Sequence, residues 1–176
     1  MGQPDRRSTV ARRRRPLGAR FALLIAGVAL VTTACLGSAP GGLQNGFLPD
    51  SVLQTINPNC KIWKPAASSL LIMMAYAHND GVELTPESCY RSYADQVAVR
   101  AYWCSLGLCQ FAAVPGTSVH GWGKAVDFAD RNGELTFSSV GYQWLTAHAS
   151  AFCFVHPPWA QPNGSAPEPW HWEAVC

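Results

Sequence analysis

Charge is scarce in this sequence, and what there is lies unevenly. Only 14% of the 176 residues are Asp, Glu, Lys or Arg, against 48% hydrophobic. Seven of the 13 basic residues (Arg6, Arg7, Arg12, Arg13, Arg14, Arg15 and Arg20) come before residue 21. From residue 36 onward there remain six (Lys61, Lys64, Arg91, Arg100, Lys124 and Arg131) against ten acidic residues, so that part carries about −4. So little positive charge excludes a phosphate-binding face, and with it a nucleic-acid partner. Also lacking is an apolar run of bilayer length. Phe21–Ala34 (FALLIAGVALVTTA) has 14 residues, about 21 Å as a helix against a hydrocarbon core of roughly 30 Å. No internal repeat is present. The length suits one globular domain.

What is there begins with an export signal. A basic stretch, a short apolar run and small residues after it read as a secretory signal over residues 1–35; an uncleaved anchor is the alternative. Cys35, in the context Thr32-Thr33-Ala34-Cys35-Leu36-Gly37, resembles a lipobox cysteine, with Thr32 where an aliphatic residue is usual. Lipidation at Cys35 places the chain on a membrane through a lipid anchor alone; cleavage near Ala34 or Ala39 releases a secreted product. Residues 36–55, rich at first in Gly, Pro and small residues, read as a flexible tether, and 56–176 as the domain. Seven cysteines divide into Cys35 and six others: Cys60, Cys89, Cys104, Cys109, Cys153 and Cys176. An even number in an exported chain reads as disulfides. Cys104 and Cys109 flank a short Ser-Leu-Gly-Leu loop and are expected to pair; the rest stay open among the 15 pairings six cysteines allow.

Periodicity gives an α+β domain, a small and mainly antiparallel sheet with flanking helices. Helices are expected at 65–78, with Leu70, Leu71, Met74 and Ala77 as the apolar face, at 93–104 and at 139–149. Strands are expected at 82–84, around Cys89-Tyr90, at 124–128, 152–155 and 170–175. Asn132-Gly133 marks a turn. Five prolines over 157–169 mark a loop without regular structure.

Two clusters carry chemistry. In Ser118-Val119-His120-Gly121-Trp122-Gly123-Lys124-Ala125-Val126-Asp127 the two glycines oppose a helix, and Asp127 falls within an otherwise apolar strand. A carboxylate there needs a partner or a metal, and His120, on the loop feeding the strand, can fold back to it. A surface histidine and a structural aspartate are the alternative. In Glu168-Pro169-Trp170-His171 a histidine follows a carboxylate by three. Two His and one Asp form a ligand set for a catalytic divalent metal with a position open for water. A further carboxylate that is not a ligand can act as general base. Glu168 and His171 cannot share a face of a plain strand, so a bend at the strand entry is expected.

These strings, with Ser88–Gln96 (SCYRSYADQ), resemble in order the SxHxxGxAxD, ExWH and SGYRSxxxQ signatures of the VanY-type D-alanyl-D-alanine carboxypeptidases. Cys89 and Cys153 stand where glycine is usual. The resemblance implies a hedgehog-like fold and one Zn²⁺ held by His120, Asp127 and His171. It implies Glu168 as base and acid and Arg91 as the group facing the scissile carbonyl. It also implies Ser118 and Gln96 as substrate contacts, Gln96 being alternatively structural; Arg91 without the motif reads equally as a surface ion-pair residue. A monomer acting on peptidoglycan stem peptides is expected, cutting either D-Ala-D-Ala or, as an endopeptidase, L-Ala-D-Glu. Two readings compete. Two His and a carboxylate also hold Fe(II) in oxygenases, but there His and Asp stand two apart, not seven. A non-catalytic wall-binding domain would have no use for Glu168.

Overall fold

The computed structural model describes residues 42–176. The export signal, Cys35 and the start of the expected tether lie outside the described residues. Two strands, β1 (Leu53–Asn57) and β2 (Cys60–Trp63), form an antiparallel hairpin. Helix α1 (Lys64–Asn79) follows, then β3 (Thr85–Ser88) and α2 (Tyr93–Ser105). Strand β4 (Ala125–Asp130) turns into β5 (Gly133–Glu134), and α3 (Val140–His148), β6 (Phe154–Val155) and β7 (His171–Ala174) complete the order. The main sheet runs β3-β4-β7-β6, with β5 paired to the far end of β4, and every pairing in it is antiparallel. The architecture is the α+β one expected.

Strand period decides what this sheet does. Side chains alternate between faces. Val126 and Phe128 of β4 and Trp172 of β7 therefore enter the core, where Leu70 and Met73 of α1, Leu145 of α3 and Phe154 are also buried. Asp127 and His171, the residues between them, point to the opposite face. Burial at about 25 cal/mol per Å² of apolar surface makes the core face the stabilising one and frees the other for chemistry.

The helices begin as their sequences require. Pro65 sits in the first turn of α1, where its missing N–H costs nothing. Ser92 caps α2, accepting from Asp95 N. The buried stripe of α1 is Ala66, Leu70, Met73 and Ala77. Of the expected face Leu70 and Ala77 are buried, but Leu71 is exposed and Met74 only partly buried, with Ala67 and Met73 facing the core instead. A step of one residue turns the helix by about 100°. Residues 82–84 alternate correctly, Val82 and Leu84 being buried, but ladder pairing begins only at Thr85. The strand expected at 152–155 is shorter, because Ala149–Phe152 coil as a 3-10 turn. Cys153 ends that turn at φ +63°, the left-handed region a glycine takes without cost.

The β1–β2 hairpin and the course of the chain before it were not foreseen. From Gln44 on, the segment expected as tether is docked. Gly46 N donates to Gly121 O (2.8 Å), Tyr93 N donates to Gly46 O (2.9 Å), and Asn45 Nδ2 donates to Ser118 O (2.7 Å). A Cβ at Gly121 would fall 2.0 Å from Asn45 Oδ1, so this close approach requires glycine. Main-chain hydrogen bonds and the Asn45 side chain hold this segment, and they leave no periodic signal.

Three disulfides close the fold: Cys60–Cys89, Cys104–Cys109 and Cys153–Cys176. Unreduced, denatured protein is expected to show no free thiol among these six in a thiol titration. Loop length ranks them. Closing 29 residues between Cys60 and Cys89 restricts the unfolded chain more than closing five between Cys104 and Cys109, roughly 3–4 against 2 kcal/mol by chain entropy. Urea unfolding of the paired Cys→Ala variants checks the order; equal losses would contradict it.

Candidate active site

The site grows from one cross-strand pair. Asp127 and His171 are register partners in β4 and β7, so the sheet itself sets them side by side. His120 arrives from the 3-10 turn Val119–Trp122, which Gly123 ends at φ +62°. The fold-back expected for His120 is thereby realised. His171 Nδ1 lies 3.1 Å and His120 Nε2 3.2 Å from Asp127 Oδ1, and the two nitrogens are 3.2 Å apart. Both imidazoles are buried and Asp127 nearly so.

The outer nitrogens show what the inner ones are for. His120 Nδ1 lies 2.7 Å from the carbonyl oxygen of Cys89, which can only accept, so it carries the proton and leaves Nε2 a lone pair. His171 Nε2 faces Glu173 Oε1 at 3.1 Å, which leaves Nδ1 as the inward donor atom. Three electron-rich atoms then converge, an arrangement that calls for a shared cation. The charges agree. Burial works against ionising Asp127, but His120 and His171 outweigh it and hold the carboxyl far below its usual range. Burial likewise opposes charge on His171, yet Asp127 and Glu173 raise it to about 9. His120, Asp127 and His171 are the metal-ligand cluster found among the described residues, their donor atoms lying within 4.8 Å of one another. Two imidazoles and a carboxylate suit zinc.

Glu168 is placed by the expected bend: His171 N donates to Glu168 O at 3.2 Å, a tight turn just before β7. Its side chain lines the cleft that contains the triad. Burial pushes its pKa up to about 7; Asp127 adds to this, while His171 and Arg91 oppose it. Arg91 enters from the loop between β3 and α2. Its Nη2 is 3.6 Å from Asp127 Oδ2 and 3.3 Å from Ser88 Oγ. Its Nη1 donates to Gln96 Oε1 at 3.0 Å. Arg91 is thus fixed at the metal cluster, not spent on a surface ion pair.

The substrate-contact expectation for Gln96 needs correction. Gln96 is buried, its Oε1 is used by Arg91, and its Nε2 donates to Ala113 O at 2.9 Å. With both ends engaged it positions Arg91 and ties the cleft wall to it. Ser118 does line the cleft. So do Trp103 and Phe111, beside the Cys104–Cys109 bridge, and Trp159 and Ala166 from the proline-rich loop, enclosing about 710 Å³. Sequence reasoning missed Glu173 and Trp159, whose ring tilts over His171 at 4.9 Å between centroids. Glu173 had a signal: two residues after His171 in a strand, it shares the face.

A family model described as VanY, D-alanyl-D-alanine carboxypeptidase, matches residues 59–175. The chain belongs to the VanY family. Solved structures agree. One is VanYB in complex with D-alanine-D-alanine, at 28% identity and TM-score 0.59, covering 70% of this chain and 77% of that one. A second is a VanY from a VanB-type resistance cassette in complex with Zn(II), at 26% and 0.59, covering 73% and 83%. A third is the LdcB LD-carboxypeptidase, at 28% and 0.61, covering 74% and 71%. No curated protein matches the sequence. The VanY-type fold and the zinc-peptidase class expected from the motifs are those the comparisons show.

Alanine at His120 or His171 is expected to abolish zinc binding, read as metal content of the folded protein. Glu173→Gln, which weakens the outer bond to His171 without touching a ligand, should lower zinc affinity about 10- to 100-fold in a chelator competition. An unchanged affinity would show that Glu173 does not orient the ligand.

Proposed function

We propose that this protein is a zinc-dependent D-alanyl-D-alanine carboxypeptidase that trims peptidoglycan stem peptides outside the cytoplasmic membrane. The observation carrying this is the joint placement, in one cleft, of the three-ligand cluster, a carboxyl group with its pKa near neutrality and a fixed guanidinium. VanYB holds D-alanine-D-alanine in a structure 28% identical to this one, which favours that bond over L-Ala-D-Glu. The export reading rests on the arginine-rich start and apolar run, and is supported by the three disulfides. Lipidation of Cys35, or release as a secreted monomer, remains part of this proposal.

The chain's own groups divide the work. Zinc, when bound, supplies Lewis acidity toward a carbonyl oxygen and lowers the pKa of water toward about 7. Glu168, buried enough to hold a proton near neutral pH, takes one from the attacking water and delivers it to the leaving amine. A pKa close to the working pH lets one carboxyl do both. Arg91, held by Gln96 and Ser88, presents fixed positive charge where the carbonyl oxygen becomes anionic. The aromatic walls lower the polarity around the scissile bond, which strengthens those charges.

Glu168→Gln keeps the shape and removes the basicity. It is expected to retain zinc and to lose roughly 10²- to 10⁴-fold in kcat, measured as D-alanine released from an acylated peptide ending in D-Ala-D-Ala. An active, zinc-loaded variant would overturn the mechanism. The wild-type rate should fall on the acid side as Glu168 takes up its proton. A cation at the triad favours the carboxylate, so the limb lies at or below about pH 7. The Gln variant should lack that limb.

A further inference from the structure

His156 stands outside the cleft machinery, yet its ring is fixed on several sides. It stacks on Trp172 (4.9 Å between centroids, planes 22° apart) and meets Tyr142 edge-on at 5.4 Å and Phe137 at 6.4 Å. Its Nε2 lies 3.0 Å from the main-chain oxygen of Glu168. A carbonyl only accepts, so Nε2 carries the proton. Burial among these rings pushes the imidazole below its ordinary pKa, while the bond to Glu168 O counteracts that in part. A neutral ring with this tautomer accounts for both facts.

The carbonyl it holds is a junction. Glu168 O also accepts from His171 N (3.2 Å), and Glu168 N donates to Ala160 O (2.8 Å). Pro169 follows and has no N–H to offer, though its oxygen accepts from Trp172 Nε1 (3.1 Å). Within the Glu168–His171 turn, His156 is the side chain that grips the main chain of Glu168 itself. The aromatic floor beneath it, Trp172, is part of the buried core. The base is thus connected to the rigid part of the domain through this imidazole as well as through the turn into β7.

We infer that His156 is a positioning residue for the reaction: its Nε2–H sets the main chain of Glu168, and thereby the reach of that carboxyl toward the attacking water. This rests on Glu168 being the base. The bond touches neither zinc ligand side chains nor the substrate walls, so its loss should act on turnover and leave metal and substrate binding intact.

Two variants separate the donor from the ring. His156→Phe keeps an aromatic ring against Trp172 and Tyr142 and removes the donor. His156→Gln gives up the ring and keeps an N–H of similar reach. Each is assayed as zinc-loaded full domain on an acylated peptide ending in D-Ala-D-Ala, with zinc content and thermal midpoint taken on the same sample. For His156→Phe the expected result is a kcat lower by about 10- to 100-fold, the order of loss for a reacting group misplaced by about an ångström. KM should stay within about twofold, and zinc should remain full. His156→Gln should recover most of the rate despite its poorer packing. In a Glu168→Gln background, His156→Phe should cost nothing further, because the group it positions is gone. Wild-type kcat in His156→Phe would overturn the inference, as would a full additional loss in the Glu168→Gln background. So would a rate that follows thermal stability, with Gln worse than Phe. Should His156→Phe fail to fold, His156→Leu, which also lacks the donor, and its Glu168→Gln double decide by the same additivity. A fully active Glu168→Gln enzyme would instead sink the mechanism beneath it, an outcome distinct from all of these.

Discussion

A buried carboxylate in the middle of an apolar strand is the constraint around which this domain is arranged. Asp127 has Val126 and Phe128 on either side of it, both in the core, and cannot be left unpaired there without a penalty of several kcal/mol. Strand alternation turns it to the other face, and register then puts His171 opposite it. The turn ending at Gly123 brings His120 to the remaining side. The same two strands therefore stabilise the domain with one face and hold two of the metal ligands on the other. A one-residue slip between them would exchange the faces and lose both.

Rigidity falls off outward from that pair in an order that suits the chemistry. The ligands sit on strands and a short turn, and their outer nitrogens are fixed by Cys89 O and Glu173. Groups that act on the substrate sit on loops one step away, each tied back to something firmer: Arg91 through Gln96, and Glu168 through the turn into β7. The walls of the cleft are loops as well, but covalently or conformationally stiffened, one by the Cys104–Cys109 bridge and one by its prolines. Walls ordered before the substrate arrives reduce the entropy lost on binding.

How much of this the sequence disclosed follows from the kind of interaction involved. The two histidines, Asp127 and Glu168 suggested themselves by residue type and spacing, whereas Arg91 entered only through the resemblance to a family motif. The helices were legible because apolar stripes and caps are local; only the rotation of the α1 stripe was off, where Leu71 and Met74 are as apolar as the residues that are buried. Gln96 shows the opposite case. An amide can serve substrate or structure, and only its two partners decide. The segment around Asn45 and the β1–β2 hairpin escaped notice because main-chain hydrogen bonds to Gly121 and Tyr93 carry no side-chain pattern. Cys153 was expected in a disulfide without an assigned partner; it bonds to Cys176 while keeping the left-handed backbone usual for glycine there.

The placement of β7 bears on how such a protein can be made. It follows β3 to β6 in the chain yet lies between β4 and β6 in the sheet. Until it inserts, β4 presents an open edge with Asp127 on it, and β6 has no neighbour. Such an edge invites mispairing with other chains, and closing it requires contacts spanning more than 40 residues, which slows folding. A chain in which β7 has not yet paired therefore carries no hydrolytic centre. Sheet, core and metal site are completed together when the strand bearing His171 takes its place between β4 and β6.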